Sequence, residues 1–206
     1  MKLFYSKGAC SLAPHIVLNE LNMVFQTEIV DLAAKTCVSG DYKLINEKGA
    51  VPALKMENGE VLTECVAILN YLADQKPEMN LLPKFGTNER YRAQEWLNFI
   101  STEIHKGFAP LWVADRVYTA AAATEVKNTT KAKLNEKFNY IAKKLENNDY
   151  LLGKNYSVAD AYMFTCLSWA GHVGMNFKNW PNLEKYLERV GSRPAVVKTL
   201  KEEGLL

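Results

Sequence analysis

The spacing of apolar residues changes character once along this chain, and that change limits the folds open to it. Up to about residue 80 the apolar runs are short and bounded by turn formers, whereas beyond residue 86 they recur every three or four positions over long stretches. No single layer of secondary structure buries both patterns. The chain is therefore read as two domains, residues 1–80 and 86–206, joined by the segment that Pro77 and Pro83 bracket.

In the first part, "KLFYS" at residues 2–6 is β-prone, and "SLAPHIVLNELN" then sets Leu12, Ile16, Val17 and Leu21 at helical spacing, with Ser11 as N-cap and Pro14 in the first turn. "FQTEIVDL" at residues 25–32 alternates as a strand, which a crossover helix makes parallel to the first. "VPALKM" and "EVLTE" flank Asn58-Gly59, a hairpin signal, and "CVAILNYLAD" supplies a closing helix with Val66, Leu69 and Ala73 along one side. The second part carries "RYRAQEWLNFISTEIHKGF" and "TEVKNTTKAKLNEKFNYIAKKLEN", both helical. In "YSVADAY", Ser157 and Asp160 have capping-box spacing, which predicts a helix starting at Val158. The expected fold is an α/β domain followed by an all-α domain.

The chain carries 25 basic and 23 acidic residues, interspersed, for a formal charge of +2. It has no field that would gather nucleic acid or an anionic membrane, so neither is an expected partner. The apolar run in "MKLFYSKGACS" is too short for a signal peptide and no stretch approaches a membrane span, so a cytoplasmic protein is expected. Cys10, Cys37, Cys65 and Cys166 form no CxxC pair, and His15, His105 and His172 share no ligand spacing, so neither a disulfide framework nor a metal is expected.

Four places carry chemistry. Cys10 stands at the amino end of the first helix, where orphan N–H groups and the helix dipole favour a thiolate; the alternative is a small buried filler. Val51-Pro52 either opens an edge strand or is cis, and a cis bond beside Cys10 would present the Val51 backbone to an extended peptide. Glu64-Cys65 opens a helix whose first N–H groups suit a carboxylate and whose Glu64 suits an ammonium, unless Glu64 merely complements its own helix dipole. In "EWLNFISTEIHKGF", Leu97, Ile100, Ile104 and Phe108 form a core stripe, leaving Asn98, Thr102, His105 and Lys106 on a polar face. That face is either simply solvated or brings His105 and Lys106 to a thiolate.

Taken in order, "YSKGACSLAPHIVL", "EKGAVPALKMENGEVLTECVAILNYLAD", "WLNFISTEIHKGF" and "SVADAYMF" resemble the glutathione S-transferases, specifically the bacterial beta class, over nearly the whole chain. The resemblance implies a thioredoxin-like N-terminal domain, an all-α C-terminal domain, and a homodimer that binds glutathione as co-substrate at the domain boundary. It also implies residue roles. Cys10 contacts or forms a mixed disulfide with the glutathione sulfur, Val51 before cis-Pro52 binds the cysteinyl backbone, and Lys35 holds the glycyl end. Glu64 and Cys65 hold the γ-glutamyl end, His105 and Lys106 flank the sulfur and the electrophile pocket, and Asn98 and Glu103 reach the neighbouring subunit's ligand. Cys65 departs from the serine usual in the superfamily, and Tyr5 and Ser11 stand where other classes place the activating residue. The implied activity is conjugation of glutathione to small hydrophobic electrophiles, a detoxification chemistry. Glutathione-dependent thiol-disulfide reduction through Cys10, or ligand sequestration without catalysis, is also compatible with these residues.

Overall fold

The computed structural model describes residues 1–206. Strand β1 (Lys2–Tyr5) runs parallel to β2 (Gln26–Asp31), with helix α1 (Leu12–Glu20) as the crossover between them. On the other side β1 pairs antiparallel with β5 (Ala53–Lys55), and β5 with β6 (Val61–Thr63) across the expected Asn58-Gly59 turn, where Gly59 takes φ +88°. A small hairpin with no sequence signal, β3 (Thr36–Cys37) and β4 (Gly40–Asp41), extends the far edge, giving the order β4-β3-β2-β1-β5-β6. Helix α2 (Cys65–Gln75) closes this thioredoxin-like unit.

Alternation along the strands sorts the core into two faces. Leu3, Tyr5 and Leu54 pack with Leu12, Ile16, Ile68 and Leu72 from α1 and α2, while Phe4, Val30, Tyr42, Val51 and Ala53 form a smaller cluster on the opposite face. Two expectations need correction. The buried stripe of α2 is Cys65, Ile68, Leu69, Leu72 and Ala73, with Val66 only half-buried, because the face three and four residues on from Cys65 meets the sheet. Ser11 does precede α1 but makes no side-chain cap: its hydroxyl is buried and turned back, accepting the Ser6 N–H at 3.1 Å and donating to the Ser6 carbonyl at 3.2 Å.

The rest of the chain is helical: α3 (Asn88–Phe99), a π-helical segment Ile100–His105, α4 (Lys106–Val117), α5 (Ala120–Lys144), α6 (Val158–Ser168), α7 (Pro181–Gly191) and α8 (Pro194–Glu202). Leu97, Ile100, Ile104 and Phe108 are all fully buried as the spacing predicts, although the π-helical segment widens the turn between them. Every residue of α6 from Val158 to Leu167 is buried, so this helix forms the centre against which α1, α3 and α7 pack. One continuous core of 46 buried residues crosses from the sheet into the helices, so the two domains sit in a fixed relation.

The capping box at α6 is present and extended. The Asp160 carboxylate accepts the Ser157 N–H at 2.9 Å, the Ser157 hydroxyl at 2.8 Å, the Leu151 N–H at 2.9 Å and the Tyr186 hydroxyl at 3.0 Å, with no solvent exposure. Asp160→Ala strands these buried donors together. It is expected to lower unfolding stability by about 3 kcal/mol, read as a lower urea midpoint; a loss below about 1 kcal/mol would refute this account of α6.

Candidate active site at the domain boundary

After β1 the chain turns through Gly8, at φ +64°, and delivers Cys10 to the start of α1. Facing it is the Val51-Pro52 bond, which is cis. The Cys10 thiol donates to the Val51 carbonyl at 3.2 Å, while the Val51 N–H donates to no atom of the chain. The helical half supplies His105, from the last turn of the π-helical segment; its Nδ1 meets the Tyr162 hydroxyl at 2.7 Å and its ring stands 5.2 Å from that of Trp169. Cys10, Lys35, Val51 and His105, distant in sequence, thus line one cleft of about 650 Å³, together with Trp112 and Trp169.

The charge state of this cleft differs from the sequence reading. Burial pushes the Cys10 thiol up to about 12; the N–H groups of Cys10 and Ser11 and the Lys106 charge pull the other way but do not win. The helix amino end is therefore real but too weak to make a free thiolate. Burial likewise pushes the His105 imidazole down to about 4, with Lys106 adding to the effect and Glu64 opposing it. His105 is neutral at pH 7 and acts by hydrogen bonding, leaving Lys106 as the cation whose field reaches both groups.

The remaining candidates divide. Lys35, at φ +58°, donates its ammonium to the Gly49 carbonyl at 2.8 Å on the cleft wall. Glu64 immediately precedes α2 at φ +73°, a strained conformation for a non-glycine residue, and its exposed carboxylate pairs with Lys48. Cys65 is buried, its S–H on the Cys10 carbonyl at 3.6 Å and its pKa raised by burial. Asn98 is exposed on α3, and Glu103 pairs with Lys137 of α5 at 2.7 Å; both lie outside the cleft, as does the Lys106 side chain. Tyr5, at the end of β1, is buried with its ring 5.7 Å from that of His15 on α1, and Ser11 is engaged with Ser6, so neither lines the cleft as an activating hydroxyl.

Sequence reasoning missed Tyr162, Trp112, Trp169 and Leu205. Tyr162 and Trp169 belong to an apolar run in which nothing distinguishes a site residue from core. Trp112 remains 39% exposed on the cleft side of α4 while Phe108 and Leu111 of the same helix are buried, a placement visible only in three dimensions. No helix is long and apolar enough to cross a membrane, and no three His, Cys, Asp or Glu side chains converge where they could hold a metal ion.

Comparison with known proteins bears on this arrangement. Residues 8–75 match the glutathione S-transferase N-terminal domain and residues 99–194 the glutathione S-transferase C-terminal domain. The chain is 43% identical to glutathione S-transferase GstA of Escherichia coli O157:H7 over the whole of both chains. Among solved structures, the bacterial beta-class glutathione S-transferase of Sphingomonas chungbukensis superposes with a TM-score of 0.92 at 43% identity, covering 100% of each chain. A sphingomonad glutathione S-transferase complexed with glutathione does so with a TM-score of 0.92 at 40% identity, again over 100% of both.

Two titrations check the electrostatics. Iodoacetamide labelling of Cys10, followed by peptide mapping, is expected to accelerate through about pH 10 without levelling off near 9, where an unperturbed thiol would. The His105 imidazole resonances are expected to titrate near 4; a midpoint near 6.5 would refute the assignment. Because the folded pKa is depressed, the associated stability is full above about 6.5 and is lost as the pH falls through about 4.

Proposed function

This chain belongs to the glutathione S-transferase family, and we propose that its cleft binds glutathione as an extended peptide and conjugates it to small hydrophobic electrophiles. The observation that carries this reading is the Val51 backbone beside Cys10, with an N–H that has no partner and a carbonyl held by a thiol. A tripeptide laid alongside in strand fashion satisfies both groups. Its cysteinyl N–H takes the Val51 carbonyl, and the displaced Cys10 S–H turns to the glutathione sulfur. Lys35 receives the glycyl carboxylate. Glu64 receives the γ-glutamyl ammonium, and the first N–H groups of α2, which a helix leaves without partners, receive its carboxylate. Cys65 adds little as a donor, because a thiol is weaker than a hydroxyl and this one is already on the Cys10 carbonyl.

The protein ionises and aims; glutathione reacts. In this reading Tyr162 donates to Nδ1 and the His105 proton sits on Nε2; that N–H, the Cys10 S–H and the Lys106 charge together favour the thiolate of glutathione. The glutathione proton leaves to solvent. The thiolate then forms a carbon–sulfur bond at the electrophilic carbon, whose leaving group departs with the bonding pair, as halide when the substrate is an aryl chloride. Trp112 and Trp169 offer apolar surface for the electrophile. Thiol-disulfide exchange through Cys10 is less well supported, because a thiol with a pKa of about 12 holds little thiolate at neutral pH. We place the protein in the cytoplasm as a homodimer, with Asn98 and Glu103 toward the neighbouring subunit's ligand.

Retention on immobilised glutathione, together with turnover of a chloronitroaromatic, tests the proposal. Cys10→Ala is expected to abolish any disulfide exchange and to lower conjugation kcat/KM about tenfold through loss of a hydrogen bond to a charged sulfur, with Cys10→Ser recovering part of the conjugation. Tyr162→Phe is expected to lower kcat more than it raises the KM for glutathione. A wild-type protein that neither binds the resin nor conjugates would refute the reading.

A further inference from the structure

The loop that delivers Cys10 is held from both sides by the second half of the chain. Gly8 donates its N–H to Glu203 Oε2 at 2.9 Å, and its carbonyl accepts the Trp169 indole N–H at 2.8 Å. Glu203 is wholly buried, and its other oxygen meets His15 Nδ1 of α1 at 2.9 Å. Past α8, Gly204 adopts φ +65° and the chain closes a Schellman turn, with the Gly204 N–H on the Lys201 carbonyl at 3.0 Å and the Leu205 N–H on the Leu200 carbonyl at 2.8 Å. This turn sends Leu205 back toward the Cys10 loop: a Cβ built on Gly8 would lie 3.6 Å from a Leu205 methyl. Leu205 therefore lines the same cleft as Cys10 and Trp169, yet remains 42% exposed.

A fixed apolar side chain left half open on a cleft wall is surface for an apolar ligand. Glutathione has no use for it, since Leu205 offers no hydrogen bond, and the backbone and ionic partners of the tripeptide lie at Val51, Lys35 and α2. We propose that Leu205 is a specificity-determining residue: it forms a wall of the electrophile pocket and selects among apolar electrophiles by bulk. The Glu203 carboxylate, bonded to the Gly8 N–H and to His15, ties the turn that carries Leu205 to the Cys10 loop. The inference rests on the reading of the cleft as a glutathione-conjugating site.

The test uses the full chain as wild type, Leu205→Ala and Leu205→Trp, with two readouts. Turnover is measured with glutathione and a chlorodinitrobenzene series of increasing ring substituent. Binding of S-methyl-, S-butyl- and S-hexylglutathione is followed by tryptophan fluorescence, which needs no turnover. Leu205→Ala is expected to raise the preference for the bulky over the small member about three- to tenfold in both readouts, and Leu205→Trp to lower it by a similar factor. The KM for glutathione should stay within about twofold of wild type in both. Opposite shifts from the two variants separate a pocket wall from a residue that merely stabilises the fold, which would move both the same way. Preferences unchanged in both variants overturn the role of Leu205. Length-dependent binding that shifts with Leu205, in a wild type that conjugates nothing, supports the wall and overturns the conjugation reading.

Discussion

Asp160 gathers four hydrogen bonds in a place no water reaches, and the helix it starts sets the geometry of everything at the domain boundary. A buried carboxylate is tolerable only when its oxygens are satisfied, so the start of α6 is pinned in register. From that fixed start, Tyr162 falls one turn along to meet His105, and Trp169, just past the helix end, reaches the Gly8 carbonyl. The cleft is thus assembled from the core outward, and His105 and the cysteine loop are both held in part from the same buried helix.

The chemistry of the cleft follows from desolvation more than from any dipole. Cys10 sits where a helix amino end would favour an anion, yet the surrounding protein removes the water that a thiolate needs, and the thiol keeps its proton on the Val51 carbonyl. His105 responds to the same dryness in the opposite sense and loses its charge. A site built this way sets hydrogen-bond donors within reach of the Lys106 charge, an environment better suited to holding another molecule's thiolate than to generating its own.

Local features of the fold were legible in the residues themselves. The parallel β1–α1–β2 unit, the Asn58-Gly59 hairpin, the Leu97 to Phe108 core stripe and the capping box at Ser157 each depend on a few neighbouring positions, and each stands where its pattern puts it. The failures share a cause. The two-residue strands β3 and β4 are too short to show a period, and Ser11, a capping residue by position, is turned to Ser6 by burial that no local pattern encodes. The half-exposure of Val66 likewise depends on which face of α2 the sheet happens to meet.

For the site, the family resemblance drew together Cys10, Lys35, Val51 and His105, which share one cleft, and it singled out the Val51-Pro52 bond, which is cis. By itself the sequence determined the element types, the two-part division and the residues able to do thiol chemistry, because spacing, capping and turn preferences act over a few bonds. Only the tertiary structure decided that Cys10 is protonated, that His105 is neutral, that Tyr162 and Trp169 reach back to the site, and that Leu205 closes on a glycine nearly two hundred residues away. Those outcomes depend on which atoms exclude water from which others, and that is settled when distant segments pack together.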